Sequence, residues 1–84
     1  MVRYRLKPSK RRELQNGMTL TYIADTLGIT SPYIIGAFNG KYALKKPVAA
    51  SIISLKERVY VGSKDCEEFL DYYFTREEDK LSEQ

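Results

Sequence analysis

The sequence contains no histidine and only one cysteine, and each shortage excludes a class of functional site. Without histidine the chain lacks the commonest general base and the commonest metal ligand. A single cysteine, Cys66, cannot form a disulfide framework or a zinc site built from cysteines, so we interpret it as a small buried hydrophobic residue. The sequence also has no glycine-rich loop that would cradle a phosphate. We therefore expect no enzymatic activity, no metal and no cofactor.

Long hydrophobic runs are missing as well. No apolar stretch approaches the roughly 20 residues that a transmembrane helix needs, and Arg3, Arg5 and Lys7 interrupt the region where a signal peptide would be apolar. The 84 residues, 43% of them hydrophobic and 30% charged, are enough for one domain with one modest core. We therefore expect a single cytoplasmic domain over residues 1–84, without a membrane partner.

Acidic residues are scarce in the first three quarters of the chain. Residues 1–62 contain eleven Lys or Arg and three acids, a charge of +8, whereas residues 63–84 contain three basic and eight acidic residues, a charge of −5. Asymmetry of this kind is typical of a body that binds a polyanion and carries an acidic tail, which we place at residues 76–84. Two differently solvated surfaces are the alternative.

The first eight residues are either a short strand or a disordered basic arm. Apolar and basic residues alternate from Val2 to Lys7, and this period of two is typical of a strand. Pro8 ends the segment, because its ring biases the preceding residue away from helix. Val59–Val61 is β-prone, so we consider a minor two-stranded pairing of residues 58–61 with residues 2–6.

Capping residues and apolar periodicity predict about five helices, and hence an all-α fold. Ser9 is the predicted cap of a first helix that ends at Asn16–Gly17, and Pro47 opens a fourth. The second and third helices have Thr19 and Thr30 as caps. Pro32 is predicted to lie in the first turn of the third helix, and Asn39–Gly40 is predicted to end it. Apolar residues at helical spacing predict a fifth helix over residues 63–75, and the helix-turn-helix core is predicted to span residues 9–58.

Residues 19–40 have the spacing of two helices joined by a tight turn. Ala24 is small where the helices must cross closely, and Gly28 occupies the turn, where a left-handed backbone is easiest without a Cβ. Ile29 and Ile34 fill the angle between the helices. This is the pattern of a helix-turn-helix, whose second helix enters the major groove of DNA.

The stretch from Thr19 to Ile34 resembles the helix-turn-helix of the phage Cro and repressor superfamily. The ending Gly36-Ala37-Phe38-Asn39-Gly40 is similar to that of the phage repressors, and the likeness covers about residues 10–55. The sequence departs from the family at Leu20, where glutamine is usual. The resemblance implies a repressor that occupies an operator on double-stranded DNA, of phage or mobile-element origin, in the cytoplasm of a bacterial or phage-infected cell.

Roles carried over from the family predict two sets of DNA contacts. In such proteins the first turns of the reading helix face base edges, and flanking residues touch phosphates. The predicted base contacts are Ser31, Pro32, Tyr33, Ile35 and Gly36, and the helix is expected to expose Ser31, Tyr33, Ile35 and Gly36. The predicted backbone contacts are Thr19, Asn39, Lys41, Tyr42, Lys45, Lys46, Arg3, Arg5, Lys10 and Arg11.

The fifth helix has an apolar face that needs a cover. We consider that it closes the core of residues 10–55, and we favour the alternative of a homodimer, because small DNA readers gain half-site specificity by dimerising. The predicted dimer interface is Phe69, Leu70, Tyr73 and Phe74. The rival function is a protein-interaction module on the same fold, such as an antitoxin or an antirepressor that binds a second regulatory protein. The neutral reading helix and the acidic C-terminus favour this rival.

Overall fold

Five α-helices and a three-stranded antiparallel sheet make up the computed structural model, which describes residues 2–78. A short 3-10 helix, Pro8–Lys10, follows the first strand. The strands are β1 (Val2–Leu6), β2 (Leu44–Lys45) and β3 (Phe74–Glu78). The helices are α1 (Arg11–Gln15), α2 (Leu20–Leu27), α3 (Ser31–Phe38), α4 (Lys46–Glu57) and α5 (Lys64–Tyr73). In this part of the chain no helix has the length and apolar character needed to cross a bilayer.

The sheet is larger than predicted and is built from different segments. β1 is its central strand and pairs with β2 through Tyr4 and Leu44, and with β3 over its whole length. The predicted pairing with residues 58–61 is wrong, because Arg58 adopts a left-handed conformation (φ 59°) that ends α4. The chain then forms α5, and the segment after α5 reaches β1 instead.

Two other boundaries also differ from the predictions. Ser9 does not cap a helix: the chain is extended at Lys7, forms the 3-10 turn, and enters α1 only at Arg11. The predicted acidic tail is ordered in its first part, because residues 76–78 belong to β3, and its remainder, residues 79–84, lies outside the described residues. The first segment is a strand and not an arm, which settles the alternative left open for residues 2–6.

One hydrophobic core joins the sheet to all five helices. Tyr4 and Leu6 point from one face of β1 into the core, as the alternating pattern requires. The ring of Phe74 meets the ring of Tyr4 edge to face at 6.4 Å between centroids. The other buried hydrophobic residues are Leu14, Ile23, Ala24, Ile34, Ala37, Phe38, Leu44, Ala49, Ala50, Ile52, Ile53, Cys66, Leu70 and Tyr73.

α5 closes this core, so the predicted dimer interface is wrong for three of its four residues. Leu70 and Tyr73 have no exposed surface and Phe74 is 2% exposed, which leaves them nothing to offer a second copy. Phe69 is half-buried against the same core. The physical reason is that β3 pairs with β1 directly after α5 and thereby draws the apolar face of α5 onto the core.

The hydroxyl of Tyr73 links α5 to the end of α4. It donates a hydrogen bond to Glu57, whose carboxylate also accepts one from Lys56 at 3.0 Å. Burial, together with the hydrogen bond to Glu57, raises the pKa of Tyr73 to about 12. Hydrogen bonding from Tyr73 and then from Lys56 lowers the pKa of Glu57. Tyr73 therefore holds its proton more tightly in the folded chain than in the unfolded one.

This linkage predicts a loss of stability at high pH. The unfolded phenol ionises near pH 10 and the folded one near 12, so the stabilisation is complete below pH 10 and disappears as the pH rises through 12. Over that interval the free energy of unfolding of the wild type should fall by roughly 2–3 kcal/mol more than that of Tyr73→Phe. Urea denaturation at a series of pH values measures both. Parallel pH profiles would contradict the assignment.

Candidate nucleic-acid interface

The turn between α2 and α3 is formed by the residues that the sequence singled out. The Thr19 side chain caps α2 by accepting from the Tyr22 N–H at 3.0 Å. At the other end Gly28 is left-handed (φ 70°), and the Ile29 N–H donates to the Ala24 carbonyl at 2.9 Å. This bond spans five residues and is the signature of a glycine-terminated helix. The chain therefore leaves α2 in a defined direction.

The position of α3 is fixed by the core. Ile23 and Ala24 of α2 and Ile34 of α3 have no exposed surface, and Leu27 and Ile29 pack against them. Because interiors are close-packed, α3 has one arrangement against α2. The opposite side of α3, at its first two turns, faces solvent.

The exposed part of α3 contains four of the five predicted base-contact residues. Pro32 and Ile35 are exposed, Ile35 by 41%, and Ser31 and Tyr33 are half-buried. Pro32 lies in the first turn, as predicted. Thr30 occupies the predicted cap position, but its side chain makes no capping hydrogen bond.

Gly36 is buried, so its predicted exposure is wrong. The ring of Tyr42 lies on it, and a Cβ at this position would stand 2.3 Å from Tyr42 Cε2. Tyr42 also stacks on Tyr33, with 5.5 Å between ring centroids and an interplanar angle of 21°. A glycine within a helix costs about 1 kcal/mol relative to alanine, so its presence in mid-helix was the signal that another group approaches closely.

The loop after α3 is consequently anchored to the helix. The Lys41 N–H donates to the Gly36 carbonyl at 2.8 Å, and the Gly40 N–H donates to Ala37 at 3.1 Å, so Asn39–Gly40 ends the helix as predicted. Lys41 Nζ lies 5.6 Å from the centroid of the Tyr42 ring. The loop thus places an exposed lysine next to α3.

The predicted phosphate contacts divide into three groups. The members of the first group are exposed: Thr19, Asn39, Lys41, Tyr42, Lys45 and Arg11. Within residues 2–78 the three cations of this group, Arg11, Lys41 and Lys45, have no ion-pair partner. Arg11 and Asn39 line one cleft of about 170 Å³, together with Pro8 and Gly40. The end of α3 and the start of α1 therefore form a continuous surface.

The second group of cations is already engaged by acids. Arg5 Nε lies 2.6 Å from Glu77 Oε2, and its Nη1 donates to the Gly40 carbonyl. Lys46 pairs with Glu67 at 3.0 Å. Hydrogen bonding to these carboxylates raises the pKa of both Arg5 and Lys46. Their predicted role is weakened, because a phosphate would have to compete with a carboxylate already in place.

Lys10 and Arg3 complete the set. Lys10 Nζ is 3.9 Å from Glu13 Oε1 and 3.9 Å from the centroid of the Tyr72 ring. Arg3 is half-buried in β1, where it is not part of a mobile arm. Arg12, which belongs to the same basic run as Lys10 and Arg11, is exposed and lines a second cleft of about 350 Å³ with Arg11 and Gln15.

The electrostatics of this surface follow from the distribution of acids. The sequence has no Asp or Glu from Thr26 to Lys56, which covers the turn, α3, its loop and nearly all of α4. The first turns of α2, α3 and α4 contain no acid, whereas that of α5 contains Asp65 and Glu67. The positive ends of the three helices are therefore not neutralised.

Within residues 2–78 no group of three Cys, Asp or Glu side chains is arranged to hold a metal ion. No protein-family model, curated protein or solved structure matches the chain.

The contact of Tyr42 with Gly36 predicts coupling between the two positions. Gly36→Ala should displace the Tyr42 ring and destabilise the fold by about 1 kcal/mol, the order of an aromatic stack that is lost. In a Tyr42→Ala background the same substitution should cost nothing or stabilise, because alanine is the better helix former. A double-mutant cycle from urea denaturation measures this, and equal costs in the two backgrounds would refute the packing.

Proposed function

We propose that the chain is a sequence-specific double-stranded DNA-binding regulator that represses by occupying an operator. The observation that supports this most is the solvent face of α3, which lies in an acid-free stretch from Thr26 to Lys56. Three cations have no acidic partner in the described residues: Arg11 at the start of α1, Lys41 in the loop after α3, and Lys45 in β2. Polyanion binding requires such a surface, because affinity for DNA comes largely from neutralised phosphates.

The phosphates are held at the rim of α3 in this proposal. Thr19 at the start of α2 and Asn39 at the end of α3 offer hydrogen bonds, and Lys41 offers charge from an anchored loop. Helix ends without acidic neighbours favour phosphate in the same way. These contacts set the position of the protein on the duplex and carry no sequence information.

Sequence is read by the first turns of α3. The hydroxyl of Ser31 can donate to or accept from base edges, and Pro32 and Ile35 offer apolar contact to thymine methyl groups. α3 has no Arg, Lys, Gln or Asn, the residues that make the commonest bidentate base contacts. We therefore expect the protein to prefer DNA sites that present thymine methyl groups and that deform easily. Part of its sequence preference then depends on DNA shape.

Two matched lysine variants test the placement of DNA. Lys41 and Lys64 are both exposed, but Lys64 begins α5, beside Asp65. Lys41→Ala should weaken binding of all duplexes alike and lower the salt slope by about 1, because one phosphate contact is lost. Lys64→Ala should change neither quantity.

Fluorescence anisotropy with a duplex selected from a random pool, over a salt series, measures both slopes. Ser31→Ala should instead reduce the ratio of selected to random DNA, with the salt slope unchanged. The proposal fails if no duplex binds at low salt, or if the two lysine variants behave alike.

A groove on α5 favours a second candidate function. In this candidate the chain is an antitoxin-like or antirepressor-like module that binds a basic protein segment. The groove has a volume of about 610 Å³ and is lined by Glu13, Glu57, Asp65, Glu68, Phe69, Tyr72 and Tyr73. Carboxylates beside aromatic faces suit Lys and Arg side chains, through ion pairs and cation–π contacts. Lys10 already occupies such a position over the Tyr72 ring.

Two acid-to-amide variants test this candidate. Glu68 and Glu78 are both exposed, but only Glu68 lines the groove. If the groove binds a labelled Lys- and Arg-rich helical peptide, Glu68→Gln should weaken binding by about threefold, as expected for one partly exposed ion pair. Glu78→Gln should leave it unchanged. Equal weakening by both would indicate nonspecific attraction and reject the candidate.

A further inference from the structure

The face of the sheet that points away from the core is mostly basic. Side chains alternate along a strand, and Tyr4 and Leu6 of β1 point into the core. The alternate residues of β1 and their cross-strand partners therefore form the opposite face, named here the outer sheet face: Arg3, Arg5, Lys45, Thr75 and Glu77. All five are exposed or half-buried, and three of them are cations whereas one is an acid.

Two of these cations lie directly opposite each other. Arg3 on β1 and Lys45 on β2 are cross-strand partners, and neither pairs with an acid within residues 2–78. Like charges in opposed positions destabilise a sheet. A bound anion would relieve this repulsion, so the outer sheet face suits a polyanion independently of the arrangement of α3.

The outer sheet face adjoins the end of α3 through Arg5. Its Nη1 donates a hydrogen bond to the carbonyl of Gly40, directly after α3. Gly40 and Asn39 in turn line a cleft with Arg11, the cation at the start of α1. The guanidinium of Arg5 is therefore next to the rim of α3, where the phosphates of a bound duplex are proposed to lie.

Arg5 is already engaged by an acid on the neighbouring strand. Its Nε lies 2.6 Å from Glu77 Oε2 and its Nη2 3.2 Å from Glu77 Oε1, a two-pronged contact. The two side chains are 37% and 40% exposed, and an ion pair at this exposure is weak. A phosphate offers arginine the same two-pronged geometry. The neighbouring phosphates of a duplex add their attraction, so a phosphate can displace the carboxylate.

We propose that Glu77 sets the affinity of the chain for DNA, because Arg5 exchanges the Glu77 carboxylate for a backbone phosphate when a duplex binds α3. The inference rests on the proposed function, and it adds one acid that opposes binding to the cations that favour it. In the free chain Glu77 neutralises Arg5 beside Gly40. In the complex the carboxylate is released to solvent, and Arg3 and Lys45 face the same DNA backbone. Because phosphates carry no sequence information, Glu77 lowers the affinity for every duplex by the same factor.

Two neighbouring acids provide a matched pair of variants. Glu78 is exposed and lies opposite Val2, so its side chain is on the other face of the sheet from that of Glu77. Glu77→Gln and Glu78→Gln each remove one negative charge, but only Glu77→Gln releases Arg5. Fluorescence anisotropy with selected and random duplexes measures the affinities. Glu77→Gln should tighten binding of both duplexes about threefold more than Glu78→Gln does, as expected for one partly exposed ion pair.

A double-mutant cycle assigns this gain to Arg5. Arg5→Gln alone should weaken binding and lower the salt slope by about 1, because one phosphate contact is lost. In the Arg5→Gln background, Glu77→Gln should tighten binding no more than Glu78→Gln does, because no guanidinium remains to be released. Circular dichroism and urea denaturation check that each variant is folded, and the comparison of the two acid variants in the wild-type background does not depend on Arg5→Gln.

The outcomes separate this inference from the proposed function. Equal effects of Glu77→Gln and Glu78→Gln, or an undiminished gain from Glu77→Gln without Arg5, overturn the exchange. If Lys41→Ala still weakens binding of all duplexes in the same assay, the proposed function stands. If neither the wild type nor Glu77→Gln binds any duplex at low salt, both are refuted.

Discussion

The central position of β1 is the constraint on which the rest of the structure depends. β1 pairs on one side with β2, which follows the loop after α3, and on the other with β3, which follows α5. Arg5 adds a link across the sheet, because one guanidinium bonds both the Gly40 carbonyl at the end of α3 and the Glu77 carboxylate. The proposed reading helix and the C-terminal helix are thus held on one frame, and the buried faces of both are committed to the core.

The elements that β1 joins also differ in charge. The stretch from Thr26 to Lys56 has no acid, while α5 and β3 together contain six acidic residues, of which Glu67 and Glu77 pair with cations of the basic body. The modest net charge of +3 conceals this division. A surface that binds a polyanion and a surface that binds a cationic segment can coexist on a chain of this size only if they point apart. For that reason the proposed DNA surface is on α3 and the candidate peptide groove is on α5.

Most features controlled by neighbouring residues were predictable from the sequence, although Ser9 caps no helix and Thr30 makes no capping hydrogen bond, and features controlled by distant residues were not predictable. The Thr19 cap, the left-handed Gly28 and the stop at Asn39–Gly40 are local and appear as predicted. β3 was missed, because a charged segment such as Thr75–Glu78 becomes a strand only through its pairing with β1. The apolar face of α5 was assigned to a dimer, because the same pattern serves either a core or an interface. The contact between Gly36 and Tyr42 depends on how the loop after α3 folds back onto the helix. In the sequence, only the glycine in mid-helix indicated that another group approaches there.

An amide NMR titration of the full chain with a selected duplex at low salt tests most directly whether the exposed face of α2 and α3 binds DNA. We predict that shifts and line broadening concentrate at Thr19, Ser31–Ile35, Asn39–Lys41 and Arg11, with little change along α5. Perturbations centred on the α5 groove, or none at any DNA concentration, would contradict this prediction.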